Sequence, residues 1–270
     1  MRLPLLILLW ATALSPAFAA IVDTIQAYSQ AMGKNVSNVV IRPEPEGDRA
    51  LPVLYLLHGA YGSHTNWISR VPELREYADR YQFIIVCPDG DTTSWYFDSP
   101  VDSAFRYETY LSRELVSWVD SAYLTIAGRE GRAITGLSMG GHGAFYLAFR
   151  HPDIWGAAGS MSGGLDFRPF PDNWSLSQRL GAYATHRRNW EDNSVINMLH
   201  LLNKKNPLAL IFDCGKDDFF LDVNRAVKRE MDYRNIPHTY IERPGSHNWD
   251  YWREAVQYQL LFFDMYFTEY

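Results

Sequence analysis

The sequence predicts an α/β fold: a doubly wound, mostly parallel sheet with a small cap insertion. Short, continuously apolar runs alternate with longer stretches of helical spacing, the pattern of strands buried on both faces by helices. The chain has 270 residues, 47% hydrophobic and 21% charged, enough apolar material for one sizeable core. Residues able to do chemistry follow directly after apolar runs, at the carboxyl ends of the predicted strands, where such sheets bind ligands.

The first nineteen residues read as a secretory signal peptide. Arg2 precedes an apolar run over 3–14, and Ala17-Phe18-Ala19 supplies a small-residue cleavage site. Residues 20–270 are then a single domain, exported to the periplasm or the extracellular space. No membrane span is expected in that mature chain, because no apolar run is long enough.

Seven strands follow, at 36–41, 52–58, 83–87, 133–137, 156–161, 208–212 and 238–242, with a charged turn over 43–48. Helical spacing marks 105–123, where Tyr107, Tyr110, Leu111, Leu115, Trp118 and Val119 share a face. Further helices are expected over 143–150, 223–233 and 248–263. Residues 165–203, long, aromatic and charged, lie between two strands and read as the cap.

Composition narrows the partners. The formal net charge is −6, and loss of a leader carrying Arg2 makes it one unit more negative, which argues against nucleic acid. The basic pairs Arg187-Arg188 and Lys204-Lys205 stand among polar residues and read as solvated faces. Cys87 and Cys214 end separate strand-like runs; with three strands between them, they are ~19 Å apart at ~4.8 Å per strand, too far for a disulfide. Two free thiols are expected. No close set of histidines and carboxylates suggests a metal, and no cofactor is expected.

Four strand ends carry the candidate site. Ser138 lies in Gly136-Leu137-Ser138-Met139-Gly140-Gly141, between a strand and a helix, as in a nucleophile elbow. His58-Gly59-Ala60 follows an earlier strand, an acidic loop with Asp213, Asp217, Asp218 and Asp222 a later one, and His247 the last. The order serine, acid, histidine is that of α/β hydrolases. A serine hydroxyl must lose its proton as it attacks, an imidazole can take that proton, and a buried carboxylate orients the imidazole. The amides of Met139 and Ala60 are the candidate oxyanion donors. His58, His142 and His151 also lie near element ends; His58 precedes the serine and reads as structural. Among the acids, Asp213 reads as part of its strand and Asp222 as a helix cap. Spacing does not separate Asp217 from Asp218.

These residues resemble the esterase D-type esterases of the α/β-hydrolase fold. That family includes S-formylglutathione hydrolases, feruloyl and acetyl-xylan esterases, tributyrin esterases and mycolyltransferases. The resemblance rests on Leu56-Leu57-His58-Gly59, the serine turn, Cys214-Gly215-Lys216-Asp217-Asp218-Phe219 and His247-Asn248-Trp249, and covers nearly all of residues 20–270. It implies Asp218 as the acid, the second residue of the pair. It also implies that Trp95 and Tyr96, after Pro88-Asp89-Gly90, border the substrate pocket, with Trp67 as another wall. The implied activity is a secreted Ser-His-Asp carboxylesterase acting on short-chain, acetyl or feruloyl O-acyl esters, small or polysaccharide-linked. Acyl transfer to a sugar and formylglutathione thioester hydrolysis are the enzymatic alternatives; a leader disfavours the second. A silent binding domain is the alternative of another class, and retention of Ser138 and His247 speaks against it.

Overall fold

The computed structural model describes residues 20–44, 49–202 and 205–269. The leader and part of the turn over 43–48 lie outside the described residues. The strands are β1 (Ile21–Ser29), β2 (Lys34–Arg42), β3 (Val53–Leu57), β4 (Ile84–Pro88), β5 (Arg132–Gly136), β6 (Ala157–Met161), β7 (Ala209–Gly215) and β8 (Thr239–Arg243). They form one sheet in the order β1-β2-β4-β3-β5-β6-β7-β8. From β4 to β8 every pair is parallel, and β2 runs antiparallel to both of its neighbours.

The helices are α1 (Asn66–Arg70), α2 (Leu74–Tyr81), α3 (Tyr107–Thr109), α4 (Val116–Ala122), α5 (Met139–Arg150), α6 (Leu176–Leu180), α7 (Arg187–Asn193), α8 (Val195–Met198), α9 (Leu221–Tyr233) and α10 (Trp249–Thr268). A π-helical turn over Tyr110–Leu115 joins α3 to α4, within the helix expected over 105–123.

Each residue of β3, β4, β5 and β6 is buried, and β3 and β4 accordingly appear in the sequence as unbroken apolar runs, whereas β5 and β6 also bury Arg132, Thr135 and Ser160. Side chains alternate between two core layers. Val53, Tyr55 and Leu57 of β3 join one layer, with α5, α9 and the residues of α6 to α8; Leu54 and Leu56 join the other, with α2 and α10.

The seven expected strands are present, and β1 is an eighth. Only Ala27 and Ser29 of β1 are buried, so this edge strand offers no continuous apolar run to read. Its hairpin turns through Gly33, whose φ of 65° suits glycine. Cys87 on β4 and Cys214 on β7 are free and buried, with β3, β5 and β6 between them. Burial pushes both thiols well above their ordinary pKa.

Candidate active site

The turn between β5 and α5 sets Ser138 at φ 54°, ψ −116°, a costly conformation for any residue with a Cβ. Its N–H donates to the Met161 carbonyl (2.9 Å), and α5 begins at the next residue. The turn is tight enough to dictate its glycines. A Cβ on Gly136 would stand 2.7 Å from the Gly140 carbonyl carbon, and one on Gly140 would stand 2.6 Å from the His58 and Leu57 carbonyl oxygens.

The acid loop and the histidine loop are stitched together beyond β7 and β8. Lys216 N–H donates to the Arg243 carbonyl (2.8 Å) and Asp217 N–H to the Gly245 carbonyl (2.9 Å). Asp217 itself is exposed, whereas Asp218 is buried. Asp218 accepts from the Phe220 N–H (2.8 Å) and from His247 Nδ1 (2.9 Å to Oδ2, 3.1 Å to Oδ1). His247 Nε2 lies 2.9 Å from Ser138 Oγ. A carboxylate only accepts, so Nδ1 carries the proton and the Nε2 lone pair receives the serine hydroxyl. The three side chains, brought from loops after three strands, form one hydrogen-bonded line. The other acids lie elsewhere. Asp222 falls in the first turn of α9, whose cap is Phe220. Asp213 stays in β7, buried, accepting from Gln259 (2.7 Å), with its pKa pushed up to about 6 by burial.

The amides of Ala60 and Met139, beside Ser138, make no backbone hydrogen bond among the described turns and loops. Met139 opens α5, so its N–H has no acceptor within the helix. His58 fixes the Ala60 loop from below. Its Nδ1 lies 2.8 Å from the Gly59 carbonyl, and its Nε2 accepts from the Gly90 N–H (2.8 Å). Burial lowers its pKa, which keeps it neutral in this role.

The three aromatic residues expected as pocket walls are buttresses instead. Trp67 is fully buried behind Trp249 (ring centroids 5.2 Å apart), its indole N–H given to the Leu57 carbonyl (2.9 Å). Trp95 and Tyr96 are buried as well, at φ 55° and 62°. Trp95 N–H meets Met139 Sδ at 3.4 Å, and Tyr96 O–H donates to the His58 carbonyl (2.9 Å). Packing against the backs of both amide-bearing segments leaves neither ring a face toward the opening.

The opening is a cleft of about 420 Å³ that includes Ser138, His247 and Ala60. Its aromatic walls are Tyr61, Trp174, Phe219, Trp249 and Trp252, none of which the sequence marks as a wall. Phe219 and Trp252 touch the His247 ring at 4.3 and 4.9 Å, and Trp174 stacks on Phe219 at 5.8 Å. Three of these were findable: Phe219 follows the acid, and Trp249 and Trp252 share a helix face at i, i+3 shortly after His247. Trp174 comes from the segment read as a cap, and only the fold brings it here. A larger concavity of about 590 Å³, lined by Glu108, Arg150 and His151, holds no comparable line of groups. There the charges answer one another: Glu108 accepts from Tyr146, Arg150 and His151 at 2.6 to 2.8 Å.

The sheet order, the helices on both faces and the serine turn define an α/β-hydrolase fold. Residues 29–263 match the Esterase family model, described as "Putative esterase", and the chain belongs to that family. Among its relatives is an acetyl esterase of Caldicellulosiruptor saccharolyticus, 27% identical over 256 residues, covering 86% of this chain and 94% of that protein. Another is an S-formylglutathione hydrolase of Paracoccus denitrificans, 25% identical over 252 residues and covering 85% and 87% respectively. A solved ferulic acid esterase superposes with a TM-score of 0.80 at 29% identity, over 93% of this chain and 100% of that one. Family and neighbours support ester hydrolysis as the chemistry of the cleft.

Proposed function

We propose that this protein is an exported serine carboxylesterase that works through an acyl-enzyme on Ser138. The observation that carries the reading is the continuous line from Ser138 Oγ through His247 to Asp218, with contacts of 2.9 Å on either side of the imidazole. His247 Nε2 takes the hydroxyl proton as Ser138 Oγ bonds to the ester carbonyl carbon. The Ala60 and Met139 amides receive the oxyanion, and Asp218 stabilises the imidazolium. Collapse breaks the bond to the alcohol oxygen, which leaves with the proton from His247. Water then repeats the cycle on the acyl-enzyme and releases the carboxylic acid.

Export is supported by the composition of residues 1–19. The aromatic walls support short-chain, acetyl or aromatic acyl esters, free or carried on a polysaccharide, in keeping with the names of the acetyl and ferulic acid esterase relatives. The test is kcat/KM across 4-nitrophenyl acetate, butyrate and octanoate, methyl ferulate and acetylated xylan, each with wild type and Ser138→Ala. Loss of several orders of magnitude in kcat is expected on every substrate that the wild type turns over. A Ser138→Ala enzyme within tenfold of wild type would remove the serine from the reaction.

A further inference from the structure

The same cleft carries a charge that its acyl chemistry does not use. Arg70, at the end of α1, is exposed and lines the opening together with Asn66, one helical turn earlier. Among the described residues no carboxylate pairs with Arg70, and no Asp or Glu lines the cleft. The guanidinium is held over the Trp249 ring, 5.9 Å from its centroid. Asn66 accepts the Ser63 N–H on Oδ1 (3.0 Å), which leaves its Nδ2 as a second donor on that face. Among the described residues, a chain of formal net charge −6 thus presents one fixed charge at the mouth of its reactive cleft, and that charge is positive.

The position of Arg70 says which half of an ester meets it. Trp249 lies two residues after His247, and Trp252 packs on the His247 ring at 4.9 Å. His247 returns its proton to the departing oxygen, so this flank is the one beside the leaving alcohol. An Arg fork there is suited to a carboxylate, which it can bind through two parallel hydrogen bonds.

We infer that Arg70, seconded by Asn66, selects esters whose alcohol half bears a carboxylate. The inference rests on the acyl-enzyme reading above, and its test is built to fail separately. Two acetyl esters differ only in that group: 4-acetoxybenzoate and its methyl ester. Their kcat/KM ratio, anionic over neutral, is measured for wild type, Arg70→Gln, Arg70→Lys and Arg70→Glu; differences in intrinsic leaving ability cancel between variants. The ratio is expected to fall about tenfold in Arg70→Gln, further in Arg70→Glu and least in Arg70→Lys, mainly through KM for the anionic ester. In wild type it should also shrink as salt rises from 0.02 to 0.5 M, since the site is exposed and the screening length falls from about 20 Å to about 4 Å over that range. A ratio that Arg70→Gln and Arg70→Glu leave unchanged would overturn the inference while leaving Ser138 in place. So would a charge preference confined to the acyl half, seen with 4-nitrophenyl hydrogen succinate against its methyl ester. Turnover of both acetoxybenzoates by Ser138→Ala at wild-type rates would instead strike the underlying mechanism.

Discussion

Asp217 and Asp218 are adjacent, of one type, and separated only by how the loop buries them. Asp218 is enclosed and hydrogen-bonded to His247, whereas Asp217 contributes a backbone N–H to the histidine loop and turns its carboxylate to water. Asp218→Asn should therefore lower kcat by about 10³ to 10⁴, because the amide favours the wrong imidazole tautomer. Asp217→Asn should stay within about threefold; steady-state kinetics on one ester decide between them, and the reverse ranking would move the acid by one residue. Tyr96 makes a subtler case. Its hydroxyl supports the His58 carbonyl, and so the loop that carries the Ala60 amide. Tyr96→Phe should cost about tenfold in kcat with little change in KM, since an oxyanion donor acts chiefly in the transition state. An unchanged kcat would show that the loop holds without this brace.

At the level of elements, the sequence made the serine turn and the parallel strands legible because both are over-determined. Gly136 and Gly140 are required by backbone contacts on either side, and β3 to β6 are buried on both faces. Elements held by tertiary contact alone were not visible. The edge strand β1 buries only two side chains, and α1 is five residues long, yet α1 supplies Asn66 and Arg70 to the cleft. The aromatic walls were misassigned for the same reason. Spacing shows that Trp67, Trp95 and Tyr96 stand near strand ends, but whether a ring faces the opening or the core depends on the turn, here on the positive φ of Trp95 and Tyr96.

Across the whole molecule, two buried groups on opposite faces of the sheet oppose each other in their response to pH. His142, enclosed by Trp95, Phe97 and Phe167, is held down to about 4 by burial, whereas Asp213, against Gln259 of α10, is pushed up to about 6. Native His142 binds fewer protons than the unfolded chain between about pH 4 and 6.5, so its contribution is full above 6.5 and is lost as pH falls. Native Asp213 binds more protons between 3.8 and about 6, so its contribution is full below 3.8 and is lost as pH rises. Asp213→Asn should then make the urea midpoint fall more steeply from pH 6 to 4 than in wild type, by ~1 kcal/mol or more of stability across the window, and His142→Phe less steeply. Curves that stay parallel to wild type would show that neither group titrates differently on folding.

The proposed acyl-enzyme forms on Ser138 Oγ, and a covalent label reads that position directly. After incubation with a fluorophosphonate, intact mass and peptide mapping should show one adduct per chain, on the peptide holding Ser138, and none on Ser138→Ala. An adduct on another residue, or an unmodified wild-type enzyme that still hydrolyses esters, would contradict the account.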